Sequence, residues 1–138
     1  MGGAAPGPSR PSSLYPLTGV GVLIGLLLSL EGLYVRFFGQ FLLRGQADPF
    51  WVALARNLAA GGPVDVAQAG WLPVVVGTTW FGALVGLWLR HRWGRNLVLI
   101  LAVLSSLHGG AFTALGVLAL ALALTGPVRG WAGRTAGP

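Results

Sequence analysis

Long apolar runs with few polar interruptions dominate the chain. The first run, LTGVGVLIGLLLSLEGLYVRFF, covers about residues 17–38, and the second, WLPVVVGTTWFGALVGLWLR, covers residues 71–90. Each is close to the ~20 residues that a helix needs to cross a hydrocarbon layer of about 30 Å. We therefore predict an all-α fold, a small polytopic bundle of transmembrane helices.

A third apolar stretch, residues 96–125, is broken only at Ser105-Ser106 and at His108-Gly109-Gly110. A single helix over residues 96–125 would be about 45 Å long, well beyond the hydrocarbon thickness. Two helices over about residues 96–108 and 111–128 would instead form a hairpin with short arms. A re-entrant segment that does not fully cross the membrane is the main competing interpretation.

The distribution of arginine favours the hairpin. With four spans and the N-terminus inside, six of the nine arginines are cytoplasmic and three are outside. With three spans the count becomes four inside and five outside. Because cytoplasmic loops carry the excess of basic residues, we expect four spans with both termini in the cytoplasm. The expected location is a membrane, most simply a bacterial inner membrane.

The segment between the first two spans contains signals for a short helix over about residues 49–60. Asp48-Pro49 suits a helix start and Gly61-Gly62 suits a stop. This helix is too short to span, so we predict that it lies in the outer membrane interface. A solvent-exposed helix packed on the bundle is the alternative interpretation.

Composition supports lipid as the main solvent of the protein. Hydrophobic residues make up 54% of the chain and charged residues 9%, and the mean hydropathy is +0.74. Soluble domains carry about 25% charged residues. The net charge of +6 comes from arginines near the ends of apolar runs, so it suits lipid headgroups and not nucleic acid. We expect one bundle over residues 14–128, with flexible tails at residues 1–13 and 129–138.

Nothing in the sequence predicts an enzyme. The chain has no cysteine, which excludes thiol chemistry and Cys-ligated metals. Ser105 and Ser106 have only His108 as a candidate base, and there are too few acids to orient it. Serines and threonines in spans usually bond their own helix backbone or a neighbouring helix.

Glu31 is the unusual polar residue of the first span. A carboxylate within the membrane is costly and by default indicates a function or a partner. The candidate partners are Arg36 and Arg56 near the interface, and Thr78 or Thr79 of the second span at comparable depth. A structural contact is the simplest interpretation. A proton or cation relay and a contact with another subunit are the alternatives.

Small residues recur at helical spacing in the first two spans and would let another helix approach closely. We expect the two sets to pack against each other within one chain, and dimerisation is the alternative. The candidate packing residues are Gly21, Gly25, Ser29 and Gly32 in the first span, and Gly82 and Gly86 in the second.

His108 could ligate the metal of a haem or chlorophyll, because neutral imidazole is a common metal ligand. The competing interpretation is a polar residue at a turn beside Gly109-Gly110. His91 is not expected to lie at the depth of His108, so bis-histidine haem ligation within one chain is not expected. No cofactor is therefore the primary expectation.

The lone glutamate in the first helix of a short four-helix chain resembles the small multidrug-resistance transporters. In that family the glutamate couples proton to substrate, which the resemblance would assign to Glu31. The chain departs from the family in the roughly thirty residues between its first two helices. It also lacks the Trp-x-x-Tyr pattern of the family's third helix.

These features together lead to three functional hypotheses. The first is a non-catalytic structural or accessory subunit of a larger membrane complex, or a small self-associating membrane protein. The second is a small oligomeric transporter or channel that uses Glu31, and the third is a pigment- or haem-binding subunit that uses His108. The expected partners are the lipid bilayer and other membrane subunits or copies of the chain itself.

Overall fold

The computed structural model describes residues 9–42, 53–54, 57 and 65–133. No strand occurs in these ranges, which confirms the all-α fold class. The helices with described bounds are α1 (Leu14–Phe38), α2 (Val66–Ala69), α3 (Trp71–Trp88), α4 (Arg92–Ser106), α5 (Ala111–Ala123) and α6 (Gly126–Gly133).

Helix boundaries follow local backbone chemistry. Pro16 and Pro73 lie in the first turns of α1 and α3, where a missing N–H costs no hydrogen bond. α1 ends at Gly39, whose φ of 63° is left-handed and whose N–H donates to the Val35 carbonyl at 2.9 Å. Gly109 and Gly110 also have positive φ, and the chain turns there between α4 and α5.

The helices form a bundle in which α1 packs against α3 and α5, and α4 packs against α3 and α5. The core is built from apolar side chains of all the long helices. Its largest fully buried members are Trp80, Leu14, Leu17, Ile24, Leu28, Leu87, Val35, Val98 and Val128.

Two described helices, Leu14–Phe38 and Ala67–Trp88 (α2 and α3 together), are long and apolar enough to cross a membrane. A third crossing results if the bent pair Ala111–Ala123 and Gly126–Ala132 is one span. α4 has 15 residues, or about 22 Å, less than a hydrocarbon layer of about 30 Å. The structure thus supports two or three spans and membrane association.

The C-terminal region differs from the sequence-based prediction. α5 ends at Ala123 instead of continuing to residue 128, and α6 leaves it at an angle of 68°. Pro127 lies at this break, where its ring and missing N–H oppose a continuous helix. Residues 129–133 are therefore helical rather than part of a flexible tail, and Trp131 is buried.

The two ends of the described chain lie together. The Trp131 Nε1–H donates to the Leu87 carbonyl at 3.2 Å, and the Thr125 hydroxyl donates to Ser13 Oγ at 3.4 Å. Arg10 lies over the ring of Trp88 at 5.0 Å. Both ends are thus at the end of the bundle where α3 finishes.

Most of the predicted interfacial helix lies outside the described residues. Within it the structure describes residues 53, 54 and 57, which are helical and exposed. The outermost parts of the two predicted tails, residues 1–8 and 134–138, also lie outside the described range, as does Arg56.

Candidate functional site

Glu31 and His108 form a buried pair in the bundle. A hydrogen bond of 3.1 Å joins His108 Nε2 and Glu31 Oε2. The exposed fractions are only 4% for Glu31 and 9% for His108. Glu31 lies seven residues before the end of α1 at Phe38, or about 10 Å along the helix axis. The pair therefore lies at membrane depth if α1 spans the bilayer.

Close packing of α1 against α3 fixes the position of Glu31. A Cβ added at Gly25 would lie 2.9 Å from the Gly77 carbonyl oxygen, and one at Gly32 would lie 2.5 Å from the Gly70 carbonyl oxygen. Gly25 and Gly32 are seven residues apart, and so are Gly70, at the start of α3, and Gly77. The earlier glycine of α1 meets the later glycine of the second pair, and the later one meets the earlier. The helices thus run antiparallel with their backbones in contact on either side of Glu31.

The expected packing residues of α1 take part in this contact. Gly21 faces the side chains of Trp80 and Leu84, and Ser29 lies against Gly77. The Ser29 hydroxyl is buried without a hydrogen-bond partner in the described residues. Small residues are needed here because a larger side chain would meet the backbone or the core of α3.

The expected packing residues of α3 do not face α1. A Cβ at Gly82 would meet nothing within 4 Å, and Gly86 instead lies against Trp93 and Gly94 of α4. The interpretation that Gly82 and Gly86 pack on the small residues of α1 is therefore wrong. Gly70 and Gly77 take that role, with the same seven-residue spacing as Gly25 and Gly32. Spacing alone does not identify them, because Gly82 and Gly86 share the four-residue step of Gly21 and Gly25.

No hydrogen bond or ion pair joins Glu31 to the expected partners that the structure describes, Arg36, Thr78 and Thr79. Thr78 donates to the carbonyls of Val74 and Val75, and Thr79 donates to the Val75 carbonyl, so both bond their own helix. Arg36 is half-buried in the last turn of α1. The carboxylate instead uses His108, which sequence reasoning placed at a surface turn.

Residues around His108 hold the imidazole in place. Its ring meets Phe112 edge-on, with 4.5 Å between ring centroids. One turn earlier, Ser105 is 1% exposed and accepts a hydrogen bond of 3.2 Å from Trp80 Nε1. This buried bond ties α3 to α4. The hydrogen bond to Glu31 then ties α1 to the α4–α5 turn.

Each member of the pair lines a different cavity. His108 and Ser105 line an otherwise apolar cavity of about 140 Å³ with Leu28 and Val76 among its walls. Glu31 and Phe112 line a second cavity of about 60 Å³. The hydrogen bond thus lies between two partly open pockets, with a group on each side that can hold a proton.

The residues around His108 do not fit a haem or a chlorophyll. Its Nε2 is already bonded to Glu31, and the adjoining cavity of about 140 Å³ is smaller than the roughly 300 Å³ of typical small-molecule pockets. The described residues also contain no group of three or more His, Cys, Asp or Glu side chains suited to a metal ion.

Comparisons of the chain with protein-family models, with curated proteins and with solved structures find no match. The resemblance of Glu31 to the glutamate of small multidrug-resistance transporters is therefore not accompanied by a family match. The class that fold and composition define is a helical bundle compatible with a membrane.

Proposed function

We propose that this chain is a non-catalytic integral membrane subunit that associates with copies of itself or with another membrane protein. The observation that carries the proposal is a row of residues on α3 that no helix of the described chain covers. We call this row the outer stripe, and its members, all exposed, are Trp71, Val75, Thr78, Gly82 and Val85.

The outer stripe has the spacing of a helix-packing surface. Its residues alternate steps of four and three along α3, which is the repeat of helices that pack side by side. Thr78 and Gly82 are small and lie at its centre, where a second helix can approach closely. Lipid alone does not require small residues there. A helix of another subunit would use them.

Association through the outer stripe predicts a specific effect of Gly82→Leu. We expect this variant to fold normally, because a Cβ at Gly82 meets nothing within 4 Å. Its association should weaken by about tenfold, equivalent to roughly 1.4 kcal/mol. Energy transfer between two labelled populations of the chain in liposomes, measured over a series of protein-to-lipid ratios, gives the dissociation constant.

The matched control for this experiment is Gly19→Leu. Gly19 is an exposed glycine of α1, and a Cβ there also meets nothing within 4 Å. It lies outside the outer stripe, so association should be unchanged. Equal affinity of Gly82→Leu and the wild-type chain would contradict the proposal.

We further propose four membrane-inserted helices, with α4 and α5 as a short hairpin and both termini in the cytoplasm. The shared position of the two described chain ends supports this topology. Five described arginines belong to segments at this same end of the bundle: Arg10, Arg90, Arg92, Arg95 and Arg129. Arg36 is at the other end of α1. The positive-inside rule then places the arginine-rich end in the cytoplasm.

This topology predicts that a reporter active only in the cytoplasm will be active at both termini. Fusions of such a reporter to the N-terminus and to the C-terminus, expressed separately, provide the measurement. A fusion within residues 43–64 should be silent. An active N-terminal fusion with a silent C-terminal one would indicate an odd number of spans instead.

A second candidate function is proton-coupled transport, and the Glu31–His108 pair favours it. Both residues can exchange protons, both are buried, and they line different cavities. A relay of this kind is the usual functional meaning of ionisable groups at membrane depth. Proton flux into proteoliposomes, compared between the wild-type chain and Glu31→Gln, tests this function.

A further inference from the structure

A cavity lined largely by arginine lies beside the start of α4. Its volume is about 320 Å³, and its lining residues are Arg92, Arg95, Asn96, Arg129 and Ala132. Arg92, Arg95 and Asn96 belong to the first two turns of α4, and Arg129 and Ala132 belong to α6. Three guanidinium groups from two helices thus surround one space.

Docking of α6 holds this arrangement together. Trp131 is 6% exposed and donates to the Leu87 carbonyl, while the guanidinium of Arg90 lies 4.1 Å from the centroid of its ring. Arg90 has a φ of 63°, a conformation that non-glycine residues rarely adopt. The α3–α4 turn and α6 are therefore fixed to each other, and α6 carries Arg129 to the cavity that Arg92 and Arg95 also line.

No described carboxylate neutralises the three arginines. The acids of the described residues are Glu31, which is bonded to His108, and Asp65, which precedes α2. α2 and Gly70 pack on the far end of α1, near Arg36. The cavity therefore carries positive charge that no described carboxylate neutralises.

We propose that this cavity binds a phosphate group, and that the group belongs to the headgroup of an anionic phospholipid. The planar fork of a guanidinium matches the oxygens of a phosphate, and three forks can share one group. The N-terminus of α4 adds the positive end of a helix dipole. Trp88, Trp93 and Tyr15 near this end are the residue types that mark the headgroup level of a membrane.

The test uses the full-length chain purified in a neutral detergent and stripped of lipid. Native mass spectrometry then counts the lipid retained as phosphatidylglycerol or phosphatidylcholine is added. We expect one phosphatidylglycerol per chain and weaker retention of phosphatidylcholine, whose choline is repelled by arginine. Arg95→Gln should weaken the binding of phosphatidylglycerol at least about tenfold, as expected for the loss of a charge-assisted hydrogen bond.

Arg129→Gln provides a second variant, because Arg129 is exposed and its loss should not affect folding. Arg10→Gln is the matched control. It removes the same charge from the same end of the bundle, but Arg10 does not line the cavity. Phosphatidylglycerol binding by this control should stay within about twofold of the wild-type chain, since only long-range attraction is lost and salt screens it.

An inorganic phosphate arm separates the two sources of the ligand. Retention of phosphatidylglycerol in millimolar phosphate supports the lipid headgroup, whereas displacement would overturn that assignment in favour of free phosphate. Equal losses in Arg10→Gln and Arg95→Gln would show that net charge alone attracts the lipid, and the proposal would be wrong. Equal retention of the two lipids by every variant would also overturn it.

Discussion

Gly25→Leu is expected to destabilise the bundle by about 3 kcal/mol or more, the upper end of the cost of overpacking a core. A Cβ at Gly25 already lies 2.9 Å from the Gly77 carbonyl oxygen, so a leucine has no space unless α1 and α3 separate. Separation would also remove the contact between Gly32 and Gly70. Unfolding of the purified chain in mixed micelles, followed by tryptophan fluorescence, measures the loss.

Two further variants should lose less stability than Gly25→Leu, because their new side chains would meet fewer or more mobile atoms. Gly21→Ala should cost less, because its Cβ meets side chains of Trp80 and Leu84, which can shift, rather than backbone. Gly19→Leu, on the exposed face of α1, should change stability by less than about 0.5 kcal/mol. Equal stabilities for Gly19→Leu and Gly25→Leu would show that this face of α1 does not pack against α3.

The sequence predicts the long helices well because lipid imposes a simple requirement on them. A chain segment in the hydrocarbon layer must satisfy its own backbone hydrogen bonds, so long apolar runs become helices. The runs predicted at residues 17–38 and 71–90 correspond to α1 (Leu14–Phe38) and α3 (Trp71–Trp88). The glycines of α1 could also be assigned, since small residues in a span permit close approach.

Which faces meet is harder to predict, because an apolar helix gives little signal of direction. Every face of α3 is apolar, so the sequence offers no reason to prefer Gly70 and Gly77 over Gly82 and Gly86 for the contact with α1. Spacing does not separate the two pairs, because Gly82 and Gly86 match the four-residue step of Gly21 and Gly25 just as Gly70 and Gly77 match the seven-residue step of Gly25 and Gly32. In water, polar residues would have marked the outer face. In lipid they do not.

The buried polar pair shows a different limit. Glu31 and His108 are 77 residues apart, and no periodicity within either segment indicates that they meet. His108 lies next to two glycines, which suggested a turn at the membrane surface. Because α4 is short, the turn that follows it lies at the depth of Glu31 instead. The helix at residues 126–133 was missed because it contains three glycines and Pro127, which disfavour a helix. The apolar spacing of Val128, Trp131 and Ala132 was its signal.

His108→Leu is expected to destabilise the protein by about 3–5 kcal/mol, the cost of removing one partner of a buried ionisable pair. The carboxyl of Glu31 would remain 4% exposed with its hydrogen-bond partner removed. Glu31→Leu/His108→Leu should recover most of this loss, because two apolar side chains of similar size can replace a buried pair at little cost. The same micelle unfolding assay is applied to the wild-type chain, the two single variants and the double variant, which together form a double-mutant cycle.

The cycle also separates a structural pair from a working relay. If the pair serves only to join α1 to the α4–α5 turn, the stable double variant should retain every association and flux of the wild-type chain. If it relays protons, Glu31→Gln should abolish proton flux in proteoliposomes while its stability and association remain close to those of the wild-type chain, because the amide can still hydrogen-bond to His108. Losses that simply add in the double variant would show that Glu31 and His108 do not interact. That result would remove the basis for both roles.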